Sequence, residues 1–167
     1  MKRRIILLAI LIVPFITLSQ NKSGDSQINW IPLEIAKKYA KKYDKNILIY
    51  FYKEKCEYCD KMKKETLSNI NIINSINNNF LPVKIDSRTK DTIVYNNKNW
   101  TNQQPVEHGY TFRHDFYAEV ASFTQNGKDV TTTPTIVIFD SKFRKKNVFP
   151  GIRSKERLLR DIKPFIK

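Results

Sequence analysis

Both cysteines of this 167-residue chain fall in one short motif, Cys56-Glu57-Tyr58-Cys59. Two thiols at that spacing could close a small structural bridge, supply part of a zinc site, tether a haem, or exchange electrons with another disulfide. A bridge over so short a loop constrains the unfolded chain little. Zinc would need further ligands, and His108 and His114, the only histidines, are distant in sequence. Covalent haem attachment requires histidine directly after the second cysteine, where Asp60 stands. Thiol–disulfide exchange is the chemistry that fits best. The two histidines then read as surface or helix-packing residues, and neither a metal nor another cofactor is expected.

Exchange needs a stabilised thiolate beside a shielded partner, so the flanking elements decide whether the pair can work. Ile47 to Tyr52 is a continuous run of β-branched and aromatic residues, the pattern of a strand buried on both faces in the middle of a sheet. The stretch from Lys61 to Leu67 after the cysteines is helix-forming. A strand leads in and a helix leads out. Cys56 is therefore expected at a helix N-terminus, exposed, where unpaired N–H groups and the helix dipole favour the thiolate. Cys59 would lie one turn deeper on the same face, shielded from solvent.

The remaining pattern supplies a domain around that junction. Leu33, Ala36, Tyr39 or Ala40, and Tyr43 recur at helical spacing after Pro32, with lysines opposite. A second short helix carries Ile72, Ile73 and Ile76, and Leu81 to Asp86 reads as a strand with Pro82 near its start. Right-handed crossover makes it a parallel neighbour of the first strand. Thr135 to Asp140 is a third strand, Val148-Phe149 a short fourth that Pro150 marks as an edge, and Ser154 caps a last helix with Leu158, Leu159, Ile162 and Ile166. Residues 87–132 are too many for a bare loop. Within them a helix is expected around His114 to Phe123, with Phe116, Val120 and Phe123 on one face and Gly127 as its stop. The aromatics Trp100, Tyr110, Phe112, Phe116 and Tyr117 of this insertion serve either a substrate surface or extra core packing.

The chain opens with Lys2, Arg3 and Arg4, followed by an apolar run from Ile5 to Leu18. At about 1.5 Å per residue this run falls short of a hydrocarbon core of about 30 Å, so residues 1–19 read as a secretory signal cut before Gln20 rather than as an anchor. Residues 20–29 follow as a flexible leader, and residues 30–167 form one domain. The expected location is periplasmic or extracellular, where no reducing thiol pool holds cysteines apart. Lys plus Arg outnumber Asp plus Glu by 30 to 16. The lysines are scattered rather than collected in one arm, so a solvated basic face is expected and no nucleic-acid partner. Two cysteines exclude a framework of several disulfides, and 41% hydrophobic residues with only four glycines exclude a disordered or collagen-like chain.

Over residues 30–167 the order of elements and the motifs resemble the thioredoxin-like superfamily. The resemblance is carried by the strand leading into Cys56-Glu57-Tyr58-Cys59, the strand ending at Asp86, Thr133-Pro134-Thr135 before the third strand, and Gly151 ahead of the last helix. It is nearest to secreted members whose first helix begins close to a Trp, here Trp30. It implies an α/β fold with a central mixed sheet of about four strands flanked by helices, and the 87–132 insertion placed before a cis-proline. It also implies that Cys56 is the attacking nucleophile, that Cys59 is the resolving thiol, and that Pro134 is the cis-proline facing them. Thr133 would offer its backbone to an extended substrate segment. The activity implied is thiol–disulfide exchange, more often reductive, on protein substrates bearing disulfides or thiols, with a membrane-borne electron donor. A secreted binding module with a locked structural bridge is the alternative.

Departures from the family pattern bear on mechanism. Where thioredoxins carry a buried aspartate in the central strand, this chain has Tyr50, so proton transfer from the resolving thiol falls to water, Glu54 or Glu57. Lys55 replaces the usual Trp before the first cysteine, and Glu57-Tyr58 replaces Gly-Pro. Lys55 favours the thiolate and Glu57 opposes it, each by an exposed, screened charge worth about 1 kcal/mol or less.

Overall fold

The structure, a computed structural model, describes residues 26–103 and 112–166. The expected signal segment, most of the leader, Tyr110 and His108 lie outside these residues. In chain order the elements are α1 (Leu33–Tyr43), β1 (Asn46–Tyr52), α2 (Glu57–Met62), a π-helical turn (Lys63–Leu67), α3 (Ile70–Asn79) and β2 (Phe80–Asp86). They are followed by β3 (Ile93–Tyr95), β4 (Lys98–Trp100), α4 (Asp115–Ala121), β5 (Phe123–Gln125), β6 (Lys128–Val130), β7 (Thr135–Phe139), β8 (Lys145–Pro150) and α5 (Lys155–Ile162). A 3-10 turn, Lys163–Phe165, follows α5.

A mixed sheet in the order β2-β1-β7-β8 organises the fold. β1 runs parallel to β2 and antiparallel to β7, and β8 forms an antiparallel edge. The all-apolar run of β1 is explained by this central place: alternate residues serve opposite faces, and both faces are covered. Leu48, Tyr50, Ile136 and Ile138 pack with Met62, Ile72, Ile76, Leu158 and Ile162 from the α2, α3 and α5 side. Ile47, Ile49, Phe51, Val137 and Phe139 pack with Ala36, Ala40, Phe116, Tyr117 and Val120 from α1 and α4. Pro82 lies on the edge strand β2, opposite Leu48, where a missing N–H is tolerated. Among the described residues no helix is long and apolar enough to cross a membrane.

The insertion differs from expectation. Its helix spans Asp115–Ala121, so Phe123 belongs to β5 rather than to a helical face. Gly127 does not stop that helix. Together with Asn126 it forms the tight turn of the β5–β6 hairpin, at φ +73° and +51°, and Asn96-Asn97 makes the matching turn between β3 and β4 at +50° and +56°. Both turns have the left-handed pair of residues that two-residue hairpins prefer. Phe116 and Tyr117 are fully buried and Phe112 is exposed, so the first two serve core packing.

Ordered structure also begins before Trp30. Ile28, within the expected leader, is buried in the α3 side of the core, and the Asn77 amide clasps the Asn29 N–H and the Gln27 carbonyl. β8 is longer than the two residues expected, and Pro150 pairs with Thr135 at its end.

Candidate thiol–disulfide site

Strand polarity assembles the site. Because β1 and β2 are parallel while β7 is antiparallel, the end of β1, the end of β2 and the start of β7 meet at one edge of the sheet, with Phe51 facing both Ile85 and Thr135. The cysteine loop follows β1, Ser87 and Arg88 follow β2, and Thr133-Pro134 precedes β7. Ser87 N–H donates to the Tyr52 carbonyl at 2.7 Å, and His114 N–H donates to the Ser87 carbonyl at 2.7 Å, which brings the start of α4 to the same edge.

Cys56 is the N-cap of α2, in an extended conformation (φ −115°, ψ 104°), and its sulfur accepts from the Cys59 N–H at 3.2 Å. Lys55 before it adopts φ +53°, the left-handed turn that reverses the chain into the helix. Cys56 and Cys59 are disulfide-bonded with Cα atoms 5.2 Å apart. Cys59 is shielded, as the spacing predicts. Cys56 is not the exposed residue expected: it is 6% accessible against 4% for Cys59, because the Thr133 segment covers it. The Cys56 sulfur lies 3.8 Å from both the carbonyl and the hydroxyl oxygen of Thr133, 77 residues away in sequence. The Thr133–Pro134 peptide bond is cis. Gly151 N–H donates to the Pro134 carbonyl at 2.8 Å, and the Tyr117 hydroxyl donates to the Thr132 carbonyl at 2.6 Å.

Two clefts flank the pair. On the Cys59 side a cleft of about 900 Å³ is lined by Trp30, Tyr50, Tyr52, Glu54, Asp60 and neighbouring lysines. Trp30 stacks on Tyr50 at 5.9 Å and Tyr50 on Tyr52 at 6.1 Å. Burial, reinforced by the Asp60 and Tyr52 charges, pushes the Tyr50 phenol up to about 12. Tyr50 therefore stays neutral and is no proton acceptor at ordinary pH. The carboxylates that line this cleft together with Cys59 are Glu54 and Asp60, and the second had no motif to announce it. Glu57 lines a separate groove of about 380 Å³ beside Cys56.

His114 is not a surface residue. It is 1% exposed and caps α4, its Nδ1 accepting from the Phe116 N–H at 3.0 Å while Nε2–H donates to the Asp91 carbonyl at 2.8 Å. Among the described residues no cluster of His, Cys, Asp and Glu is arranged to hold a metal.

Residues 33–164 match the model of the thioredoxin-like domain. The chain belongs to that family. Its fold is similar to that of a DsbH oxidoreductase, at 18% identity over 88% of this chain and 90% of that one, with a TM-score of 0.58. It is also similar to a thioredoxin from Thermus thermophilus, at 16% identity over 84% and 87% of the two chains and a TM-score of 0.55. The C-terminal domain of DsbD from Neisseria meningitidis in its oxidised form aligns over 79% of this chain and 90% of its own, at 14% identity and a TM-score of 0.50. Identities this low establish a shared fold. No curated protein matches the chain significantly. The thioredoxin-like domain thus carries a Cys-x-x-Cys bridge at the N-terminus of α2, next to a cis-proline loop.

Proposed function

We propose that this thioredoxin-like protein is an extracytoplasmic thiol–disulfide oxidoreductase acting on protein substrates, chiefly as a reductase. The observation that carries the reading is the Cys56 sulfur, held at a helix N-terminus and 3.8 Å from Thr133 beside Pro134. The charged segment Lys2-Arg3-Arg4 and the apolar run behind it support export. The reductive direction comes from the family resemblance.

In the reduced protein the Cys56 thiolate attacks one sulfur of a substrate disulfide. The substrate S–S bond breaks, its second sulfur leaves as a thiolate and takes a proton from water, and Cys56 is joined to the substrate in a mixed disulfide. Thr133 offers its backbone to the extended substrate segment. Cys59 then gives up its proton into the cleft lined by Glu54 and Asp60 and attacks the Cys56 sulfur, and the departing substrate thiolate takes up a proton from water to leave as a thiol. Two electrons and two protons have passed to the substrate, and the Cys56–Cys59 bridge is closed. A membrane-borne donor restores the dithiol.

Equilibration of the full-length protein against graded dithiol buffers tests this, together with a Cys59→Ser variant offered a disulfide-bonded model protein. A reducible bridge and a trapped mixed disulfide are expected. A bridge that stays closed below about −300 mV, with no trapped adduct, would fit a binding module with a structural disulfide instead.

A further inference from the structure

Basic residues that are scattered along the sequence are gathered beside Cys56 by the fold. The groove there takes Lys53 and Lys55 from the loop after β1, Arg88 from the loop after β2 and Arg113 from the approach to α4, and Glu57 is the one carboxylate among its lining residues. Lys55 and Arg113 are exposed, and Lys53 and Arg88 half-buried. Elsewhere three carboxylates pair with neighbours: Glu34 with Lys37, Asp140 with Arg144, Asp161 with Arg153. Among the described residues none of the four groove cations has a carboxylate at ion-pair distance. Arg113 instead donates to the Thr131 hydroxyl at 2.5 Å, which fixes its guanidinium along the Thr131–Thr133 segment. Tyr58, 62% exposed, adds an aromatic surface on the same groove.

We infer that this groove receives an extended segment of the partner protein bearing Asp or Glu next to the cysteine that it presents to Cys56. The inference rests on the exchange chemistry above and names its substrate class. A partner sulfur must come to Cys56 to react, and residues flanking that sulfur then lie within about 10 Å, one screening length, of the groove cations. Acidic flanks meet an excess of positive charge there, four cations against the one carboxylate of Glu57 among the described lining residues, and basic flanks are repelled.

The test uses the full-length reduced protein and three peptides of equal length. Each carries one cysteine as its 2-pyridyl disulfide, flanked by acidic, neutral or basic residues. Attack of Cys56 on the peptide sulfur expels pyridine-2-thione, whose absorbance gives the rate. At low salt the acidic peptide is expected to react about tenfold faster than the neutral one, the gap closing to about twofold at high salt. Arg88→Gln with Arg113→Gln lowers the acidic-to-neutral ratio several-fold, the neutral peptide serving as internal standard in each variant. Lys38→Gln with Lys41→Gln, an equal charge change on exposed positions of α1, leaves the ratio as it was. Equal rates for all three peptides, or equal effects of the two double variants, would overturn the inference while leaving the exchange chemistry standing. No release from any peptide, the neutral one included, would overturn the exchange chemistry and the inference with it.

Discussion

The Tyr50 hydroxyl donates to the Cys59 carbonyl oxygen at 3.4 Å, joining the central strand to the first turn of the cysteine helix. Thioredoxins keep a carboxylate at this strand position, and here a buried phenol supports the helix backbone instead. Tyr50→Phe is expected to cost about 1 kcal/mol or less, the net worth of one neutral hydrogen bond. It should also remove the phenol that ionises near pH 12. Urea unfolding and phenolate absorbance against pH measure the two effects. A raised phenol pKa means stability that is complete below pH 10 and is lost as pH rises from there toward 12. Loss of disulfide exchange in Tyr50→Phe would show that the phenol does more than support α2.

Acid sensitivity is expected from His114. Burial holds its ring below the ordinary value of 6.5, against the opposing pull of the Asp91 carbonyl and of the Asp115 and Asp91 carboxylates. The ring must stay neutral for Nδ1 to accept from Phe116 N–H. The folded protein therefore binds fewer protons than the unfolded chain just below pH 6.5. Stability is complete above 6.5 and falls as pH drops toward the lowered folded value. His114→Asn keeps a capping acceptor, loses the link to Asp91 at a cost of about 1 kcal/mol, and should flatten this slope. Unfolding midpoints from pH 8 to pH 5 check it; an unchanged slope in the variant would be evidence against the assignment.

Behind the cysteine helix an ion pair between buried Arg153 and partly buried Asp161 ties α5 into place. Arg153 Nε lies 3.0 Å from Asp161 Oδ2, with the two side chains 9% and 18% exposed. The Arg153 carbonyl accepts from the Thr66 hydroxyl at 2.6 Å, at the π turn that continues α2. Asp161→Asn strands the arginine and is expected to cost about 3 kcal/mol. Replacing both partners, Arg153→Met with Asp161→Leu, should recover most of that. Chemical denaturation of the single and double variants decides, and a negligible cost for Asp161→Asn would mean that the pair is solvated.

Gly127 turns the hairpin whose outgoing strand leads to Thr131–Thr133. Its φ is +73°, and an added Cβ would meet nothing within 4 Å. Gly127→Ala should therefore cost about 1 kcal/mol through backbone strain alone. Gly127→Asn should cost less, because Asn tolerates the left-handed region. Thermal unfolding of the two variants tests the order, and an alanine variant as stable as the parent would contradict it.

Local pattern carried much of the fold. The apolar run of β1 announced a central strand, because only a strand covered on both faces can bury every residue. The same run followed by Cys-x-x-Cys located the junction of strand and helix. The insertion was harder to read for a physical reason. Asn126-Gly127 is a strong hairpin signal, yet its strands, Phe123–Gln125 and Lys128–Val130, are too short to show alternation. Of the two readings open for His114, surface or helix packing, the structure selects the second, and a lone histidine gives no sign in sequence that a helix cap and a distant carbonyl will claim both ring nitrogens.

By itself the sequence determined the chemistry available: one pair of thiols, both cysteines of the chain, at a strand-to-helix junction. It also determined the order of elements outside the insertion, since that order follows from local periodicity. Only the tertiary structure decided what else surrounds the pair. The family resemblance already set Thr133-Pro134 against it, and the structure puts Thr133 3.8 Å from the Cys56 sulfur. What no sequence pattern showed is that Asp60 joins Glu54 on the Cys59 side and that Lys53, Lys55, Arg88 and Arg113 converge in one groove. Strand polarity brings three loops to one edge of the sheet, and charge that looks dispersed along a chain is neighbouring charge in space.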